Sequence, residues 1–418
     1  MRHRIFTAHR KQANDDLARW LTDFNGGDGG QIWRGRKNVV TLYRWPREGH
    51  PMGYDGAADQ RKKIKTGTAL HSMNHRICFL THNYRGLNSS GNKAKHDNEV
   101  TLREIGAVNL GVPTTYYDSK VASFFLDLAG VVKLSMTVRR GDIVVLQYPV
   151  KKYFAFVCNM AHAHGAKVVA IIHDLGSMRR RKLTVAKEIR RLMHADYVIA
   201  SNATMKDWLS KNGFTNGLGA LQLFDYRSAS PCRERAARNS EGLPRVVYAG
   251  ALNPRKNTFL LDMAKVAKGY DLEIFGNEDG LPGLKASEHV HLHDFMAADD
   301  FIANAPGDYG LVWDGDSLTT CSGHFGEYLR WNSPHKASFY LRAGLPLIVW
   351  RCSALAPIVK ELGVGILIDR IEDIGPRLSA ITPEVRATMA ANALTVAQRL
   401  STGAFFKDAL KEAVDRIE

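Results

Sequence analysis

Cysteine is scarce and scattered. The five in 418 residues, Cys78, Cys158, Cys232, Cys321 and Cys352, include no CxxC pair and no Cys/His zinc spacing. That pattern argues against a disulfide framework and a structural zinc site, and it suits a reducing, cytoplasmic setting. Long apolar runs are also missing. None approaches the roughly 18 to 20 residues that a membrane-spanning helix needs, and the opening MRHRIFTAHRKQANDD has no apolar stretch of the kind a secretory leader carries. Acidic residues are in deficit, with 42 Asp/Glu against 57 Lys/Arg, a net charge of +15.

A basic excess raises the question of nucleic acid, so its distribution matters. Residues 1–72 hold 14 Lys/Arg against 7 Asp/Glu, and 179–191, RRRKLTVAKEIRR, form a second cluster on an expected helix. There is no RNA-binding signature and no basic run interleaved with aromatics, so nucleic acid is not an expected partner. Two readings stay open: a solvated basic face, or a surface that meets anionic lipid or a lipid-phosphate acceptor at the inner face of the membrane.

At this length two or three domains are expected. Residues 1–72, rich in glycine and charge and without periodicity, read as a partly disordered extension. From Ile77 onward short apolar runs alternate with helical segments. Strands are expected at Ile77 to Thr81, Ile143 to Tyr148, Lys167 to His173, Tyr197 to Ser201, Arg245 to Ala249, Leu272 to Phe275, Tyr309 to Trp313 and Leu345 to Trp350. Helices are expected at Glu99 to Gly106, Phe154 to His164, Lys182 to His194 and Phe259 to Lys268. Wholly apolar strands between helices mean parallel sheets covered on both faces. The fold class is α/β, with two doubly wound domains at 73–228 and 243–418, a polar break between them, and a helix-rich tail from Pro383 that packs back across the junction.

In such sheets ligands bind beyond the carboxyl ends of the strands. In the second domain Asn332-Ser333-Pro334-His335-Lys336-Ala337-Ser338 suits a phosphate: Ser333 as N-cap, Pro334 at the first helical position, and Lys336 and Ser338 in and just past a first turn whose unpaired N–H groups attract anions. The same heptad also reads as an ordinary capped surface helix. The loop Gly250 to Asn257 brings a glycine, Asn253 and two adjacent cations, Arg255 and Lys256, to a strand end. In the first domain Asn88 to Lys95 reads as a Gly/Ser loop around Ser90 and Gly91, matching neither GxGxxG nor the P-loop pattern. His173 and Asp174 follow a strand, where either could act as general base; a helix-capping aspartate beside a packed histidine is the alternative. Asp314 and Asp316 form a short DxD that could hold a metal, although Arg255, Lys336 and a helix terminus already supply positive charge. Glu327 is placed to bond ribose hydroxyls.

The stretches GLVWDGDS, CSGHFGEYLRWNSPHKASFYLRAGLPLIVW and APIVKELGVGI, with SSGNKAKHDNE, IIHDLGSMR and YAGALNPRK in order before them, resemble the bacterial β-1,6-galactofuranosyltransferase-like group related to the third glucosyltransferase of streptococcal adhesin glycosylation. The resemblance runs from about Ile77 to 400. It implies GT-B architecture, with two Rossmann-like domains facing a cleft. It further implies that Arg255 and Lys336 bind a UDP diphosphate with Pro334 and Ser338 beside it, and that Ser90 and Gly91 close over the donor. The expected protein is a UDP-sugar-dependent hexosyltransferase, moving galactofuranose or glucose to a glycan or lipid-linked glycan hydroxyl, with no cofactor and no metal. Asp174 is the first candidate for the base and His173 the second. A non-catalytic UDP-binding partner protein is the rival, and a homo-oligomer stays open.

Overall fold

Alternating apolar and amphipathic segments build two parallel sheets in the computed structural model, which describes residues 75–417 apart from 85–89, 150–152, 180–182, 233–241 and 305. The expectation for residues 1–72 lies outside the described residues. The first half runs β1 (Ile77–Phe79), α1 (Ser90–Glu104), β2 (Val108–Asn109), α2 (Lys120–Thr137), β3 (Ile143–Tyr148), α3 (Phe154–Ala163), β4 (Lys167–Ile172), α4 (Gly176–Arg179), α5 (Val185–Leu192), β5 (Tyr197–Ala200), α6 (Ala203–Lys211) and β6 (Gly217–Ala220). The second runs β7 (Arg245–Ala249), α7 (Met263–Val266), β8 (Asp271–Phe275), β9 (Val290–His293), α8 (Ala298–Asn304), β10 (Tyr309–Val312), α9 (Gly323–Tyr328), α10 (His335–Arg342), β11 (Leu347–Trp350), α11 (Leu355–Leu362), β12 (Gly365–Ile368), α12 (Ile374–Ser379), α13 (Pro383–Thr402) and α14 (Ala404–Ile417), with short 3-10 turns between.

Strand order is β2-β1-β3-β4-β5-β6 in one sheet and β12-β11-β10-β7-β8-β9 in the other, and every pairing between these strands is parallel. The chain therefore reverses its direction of travel across the sheet between β1 and β3, and again between β7 and β10. Helices leave toward opposite faces at these two places, and a crevice opens at the carboxyl ends. The register matches Tyr148 with Ile172, so the residues following β3 and β4, His173 among them, emerge side by side.

Two expectations need correction. The loop at Asn88 to Lys95 is helical from Ser90 onward, because Lys93 is fixed from both sides: its ammonium bonds the Asp97 carboxylate one turn on, at 2.5 Å, and the Arg227 carbonyl, at 2.5 Å. Gly91 thus lies in a first helical turn, where an added Cβ would meet nothing within 4 Å. The helix expected at Phe259 to Lys268 is a 3-10 turn, Thr258–Asp262, followed by the single turn α7.

The tail returns to the first sheet. Helix α14 packs on β5 and β6 and buries Phe405, Phe406, Leu410 and Val414 in a core shared by both halves. Its first turn is held by Asp225, a buried carboxylate that accepts from the backbone N–H of Phe405 at 3.3 Å and Phe406 at 2.8 Å. Burial pushes this carboxyl up to about 7, against the two N–H bonds that favour its ionised form. A folded-state pKa above the unfolded one means stability present at low pH and lost as pH rises toward 7. Asp225→Ala should lower the melting temperature by an amount equivalent to about 1 to 2 kcal/mol and speed amide exchange at Phe405 and Phe406. Asp225→Asn, neutral at every pH but with one oxygen left to accept from the two N–H groups, should hold the helix less firmly than wild type at low pH and show no further weakening between pH 5 and 8; exchange mass spectrometry on the three proteins checks both.

Candidate functional site

Strand β7 ends at the second reversal point, and Gly250 follows with φ +136°, a backbone conformation that side chains resist. The loop after it is shaped by the buried Asn257, whose carboxamide accepts from the Asn253 N–H at 2.7 Å and donates to the Ala251 carbonyl and Tyr248 hydroxyl at 3.1 Å each. The Asn253 side chain in turn accepts from the Arg255 N–H at 2.8 Å. This leaves Arg255 exposed at the loop tip and Lys256 half-buried.

Strand β10, next to β7, delivers the buried Asp314. Tyr248, receiving a bond from Asn257, donates its hydroxyl to Asp314 Oδ1 at 3.2 Å, and the ammonium groups of Lys256 and Lys336 lie 3.5 and 3.8 Å from the same carboxylate. Lys336 Nζ sits 3.5 Å from the centre of the Tyr248 ring, is buried, and makes no hydrogen bond among the described residues. Burial first, then the nearby Lys256, pulls its pKa down to about 7, with Asp314 opposing. A cation held this way, with its donors unspent, is prepared to receive an anion.

Lys336 is the second residue of α10, and that helix is placed by Tyr340. Gly310 in β10 makes room for it: a Cβ there would fall 2.3 Å from the tyrosine ring. The Tyr340 hydroxyl accepts from the Ala249 N–H at 2.7 Å, which pins the helix start above the end of β7. The N-cap assignment is corrected. Pro334 occupies the cap position, with ψ 136° and no side-chain bond. Ser333 is turned away, donating to the Gln222 carbonyl at 2.7 Å and accepting from Asn202 at 3.1 Å, because the first domain offers those groups across the cleft. Ser338 is buried one turn further on.

The two acids of the DxD motif part company. Asp316 is exposed and bonded to the Ser322 hydroxyl, whereas Asp314 faces the lysines; among the described residues no three His, Cys, Asp or Glu side chains are grouped to hold a metal. Glu327, near the end of α9, lines a cavity of about 420 Å³ with Thr320, Cys321, Ser322, Arg330 and Trp331. Gly250, Arg255 and Lys336 form no part of its wall.

On the facing domain, His173 follows β4. Its Nε2 lies 2.9 Å from Gln147 Oε1, which also accepts from Asn98 at 3.2 Å, while the Gln147 amide donates to the Lys95 carbonyl at 3.0 Å. That chain of bonds puts the imidazole proton on Nε2 and leaves Nδ1 unprotonated. The ring stacks on Phe224 at 5.0 Å, and burial, reinforced by Lys95, His335 and His82, holds its pKa well below the usual value. Asp174 is ion-paired with Arg179, whose guanidinium covers the Phe325 ring of α9. The loop beyond is shaped by Glu188, buried and unforeseen, which accepts from Gly176 and Ser177 N–H groups at 2.8 and 2.7 Å and from the Tyr148 hydroxyl at 2.9 Å. Nothing in its surroundings, KEIRR, distinguishes it from a surface acid.

The two domains meet in order along the chain. Residues 77–223 match the model of the glucosyltransferase 3-like N-terminal domain, and 246–413 that of the corresponding C-terminal domain. The chain is 30% identical over 280 residues to the beta-1,6-galactofuranosyltransferase WbbI of Escherichia coli K12, covering 66% of this chain and 80% of that protein. The chain belongs to the glucosyltransferase 3-like family. It is a glycosyltransferase. Glucosyltransferase 3 of Streptococcus gordonii is 23% identical over 281 residues, 66% of this chain and 79% of that one. Among solved structures the transferase is similar to Anabaena Alr3699/HepE in complex with UDP-glucose (TM-score 0.52, 13% identity, 81% of this chain and 99% of that one) and to the lipopolysaccharide outer core galactosyltransferase WaaB in its apo form (0.53, 14%, 82% and 100%). The fold is GT-B.

The buried lysine carries a sign that can be measured. Its folded-state pKa lies below the ordinary lysine value, so protonation of Lys336 opposes folding; the penalty is full below about pH 7 and fades as pH rises toward the unfolded value. Lys336→Met should therefore raise the melting temperature at pH 6 by a few degrees, roughly 2 to 4 °C, and narrow that gain toward pH 10. Differential scanning calorimetry across this range reads it.

Proposed function

We propose that this glycosyltransferase draws a hexose, galactofuranose or glucose, from a UDP-linked donor and attaches it to a hydroxyl of a glycan or lipid-linked glycan. The observation that carries the reading is the buried Lys336 ammonium, poised without a hydrogen bond at the start of α10 above Gly250. Names of relatives support the choice of sugars: WbbI is a galactofuranosyltransferase, the streptococcal proteins are glucosyltransferases, and HepE binds UDP-glucose.

In this scheme the diphosphate lies across the N-terminus of α10, between Pro334 and Ser338, with Lys336 and Arg255 as its counter-charges and Gly250 and Asn253 giving backbone a close approach. Ser90 and Gly91, opening α1, face it from the other domain. Glu327 takes the ribose diol from the cavity beside Arg330. As the acceptor oxygen bonds the anomeric carbon, the bond from that carbon to the β-phosphate oxygen breaks and the charge on the leaving diphosphate grows, which is where a preorganised cation lowers the barrier. The attacking hydroxyl loses its proton to a base. Asp174 is engaged by Arg179, so the geometry favours His173 Nδ1, with Gln147 fixing the tautomer. The cation set makes a metal unnecessary, and turnover should persist in EDTA.

Lys336→Ala should weaken UDP binding by about 1.5 to 3 kcal/mol, roughly ten- to a hundredfold, with the fold intact by circular dichroism; calorimetric affinity within twofold of wild type sinks the assignment. His173→Ala should cut UDP release from donor plus acceptor by about a hundredfold or more while UDP affinity barely moves. Full turnover in His173→Ala with loss in Asp174→Asn would return the role to the aspartate.

A further inference from the structure

Helix α2 carries an outer face that a soluble helix normally fills with charge. Its exposed positions include Val121, Phe124, Phe125, Leu128, Val132 and Met136, an apolar row about 23 Å long at the usual rise per residue. Met136 is 79% exposed and Val121 66%. Tyr116 and Tyr117, before the helix, and Phe156 on α3 widen the patch. Contiguous exposed apolar area of this kind marks a binding surface.

The charges around it are cationic. Lys120 opens the helix, Lys133 lies on its outer face with its ammonium on the Gly111 carbonyl at 2.8 Å, and Arg139 and Arg140 follow its end, both exposed. The nearby acids are Asp118, exposed before the N-cap Ser119, and Asp127, which points toward His82 at 3.9 Å. The domain as a whole shares the bias: residues 75–228 hold 22 Lys/Arg against 11 Asp/Glu, whereas 229–418 hold 21 against 24. An apolar row framed by cations on a basic domain is the chemistry of a helix lying in an anionic bilayer surface, with long cationic side chains reaching the headgroups. A second copy fits less well, since a twofold contact would press this basic face against itself.

Position strengthens the reading. Asn83, just past β1, donates to the Tyr117 carbonyl and the Ser123 hydroxyl at 2.7 Å each, and Tyr153, beyond β3, lies 6.4 Å from the Phe124 ring. The patch therefore begins at the carboxyl edge of β1 and β3, the mouth of the first domain's crevice.

We propose that the outer face of α2, with Tyr116, Tyr117 and Phe156, docks on an anionic membrane surface. This goes beyond the donor reading and is tested without turnover. Full-length protein should sediment with phosphatidylglycerol-containing vesicles, bind pure phosphatidylcholine far less, and lose binding as salt rises. Combined Phe124→Ser, Phe125→Ser and Val132→Ser should lower the vesicle partition coefficient by about tenfold or more while UDP affinity is unchanged. In the wild type, vesicles should slow amide exchange across Lys120–Thr137. Equal partition of variant and wild type, or no protection of α2 on vesicles, overturns the proposal and assigns any lipid binding to basic residues elsewhere. A wild-type dimer in sedimentation that the same substitutions dissociate, with lipid binding unaltered, overturns it in favour of a second copy.

Discussion

An ammonium group kept out of water is the constraint around which the second domain is arranged. Lys336 Nζ loses hydration and, among the described residues, receives in return the Tyr248 ring and a carboxylate at 3.8 Å, a partial compensation for a buried charge. Each neighbour exists in relation to it. Asn257 orders Tyr248, Tyr248 orients Asp314, and Tyr340 on the Gly310 gap keeps the helix from sliding and taking the lysine to solvent. The lysine nitrogen is in position before any ligand arrives, and an incoming anion favours its protonated form, so binding needs a proton more than a rearrangement.

The facing wall is organised by neutral groups instead. His173 is wedged between Gln147 and Phe224, and the aromatic stack continues across the cleft: His335, one residue before the lysine, stacks on Tyr226 at 4.8 Å. Burial holds the His335 pKa down to about 4, so both imidazoles are uncharged near neutrality. The cleft thus sets a lysine-bearing wall against one whose imidazole is uncharged and whose Asp174 and Arg179 offset each other in an ion pair. Cross-domain bonds such as the Leu175 N–H to the Tyr328 hydroxyl, at 2.9 Å, hold the walls in register.

What could be read from the sequence follows a physical line. All eight strands expected from apolar runs are present, and they include every interior strand. The four that escaped notice, Val108–Asn109, Gly217–Ala220, Val290–His293 and Gly365–Ile368, are the four sheet edges. An edge strand has one neighbour and less cover, so its residues need not be apolar; their burial is mixed where the interior strands are almost solid. In β6 the pattern GLGA is dictated by a neighbour, because a Cβ at Gly217 or Gly219 would strike the Tyr197 ring at 2.4 Å or its hydroxyl at 2.6 Å. The site divides likewise. Gly250, Asp314 and Lys336 stood out because strand ends and helix starts are local features. Ser333, Glu188 and Gln147 have roles set by partners tens of residues away, and local pattern misread the first and passed over the others.

The tie between Asp225 and the start of α14 joins residues 180 positions apart. On a ribosome the strands β5 and β6 are made long before the helix that covers them, so throughout synthesis of the second domain the first one presents an uncovered apolar flank. Completion of the earlier domain therefore waits on the later one, and a chain cut short before α14 leaves the first sheet with every strand made and its β5–β6 flank bare.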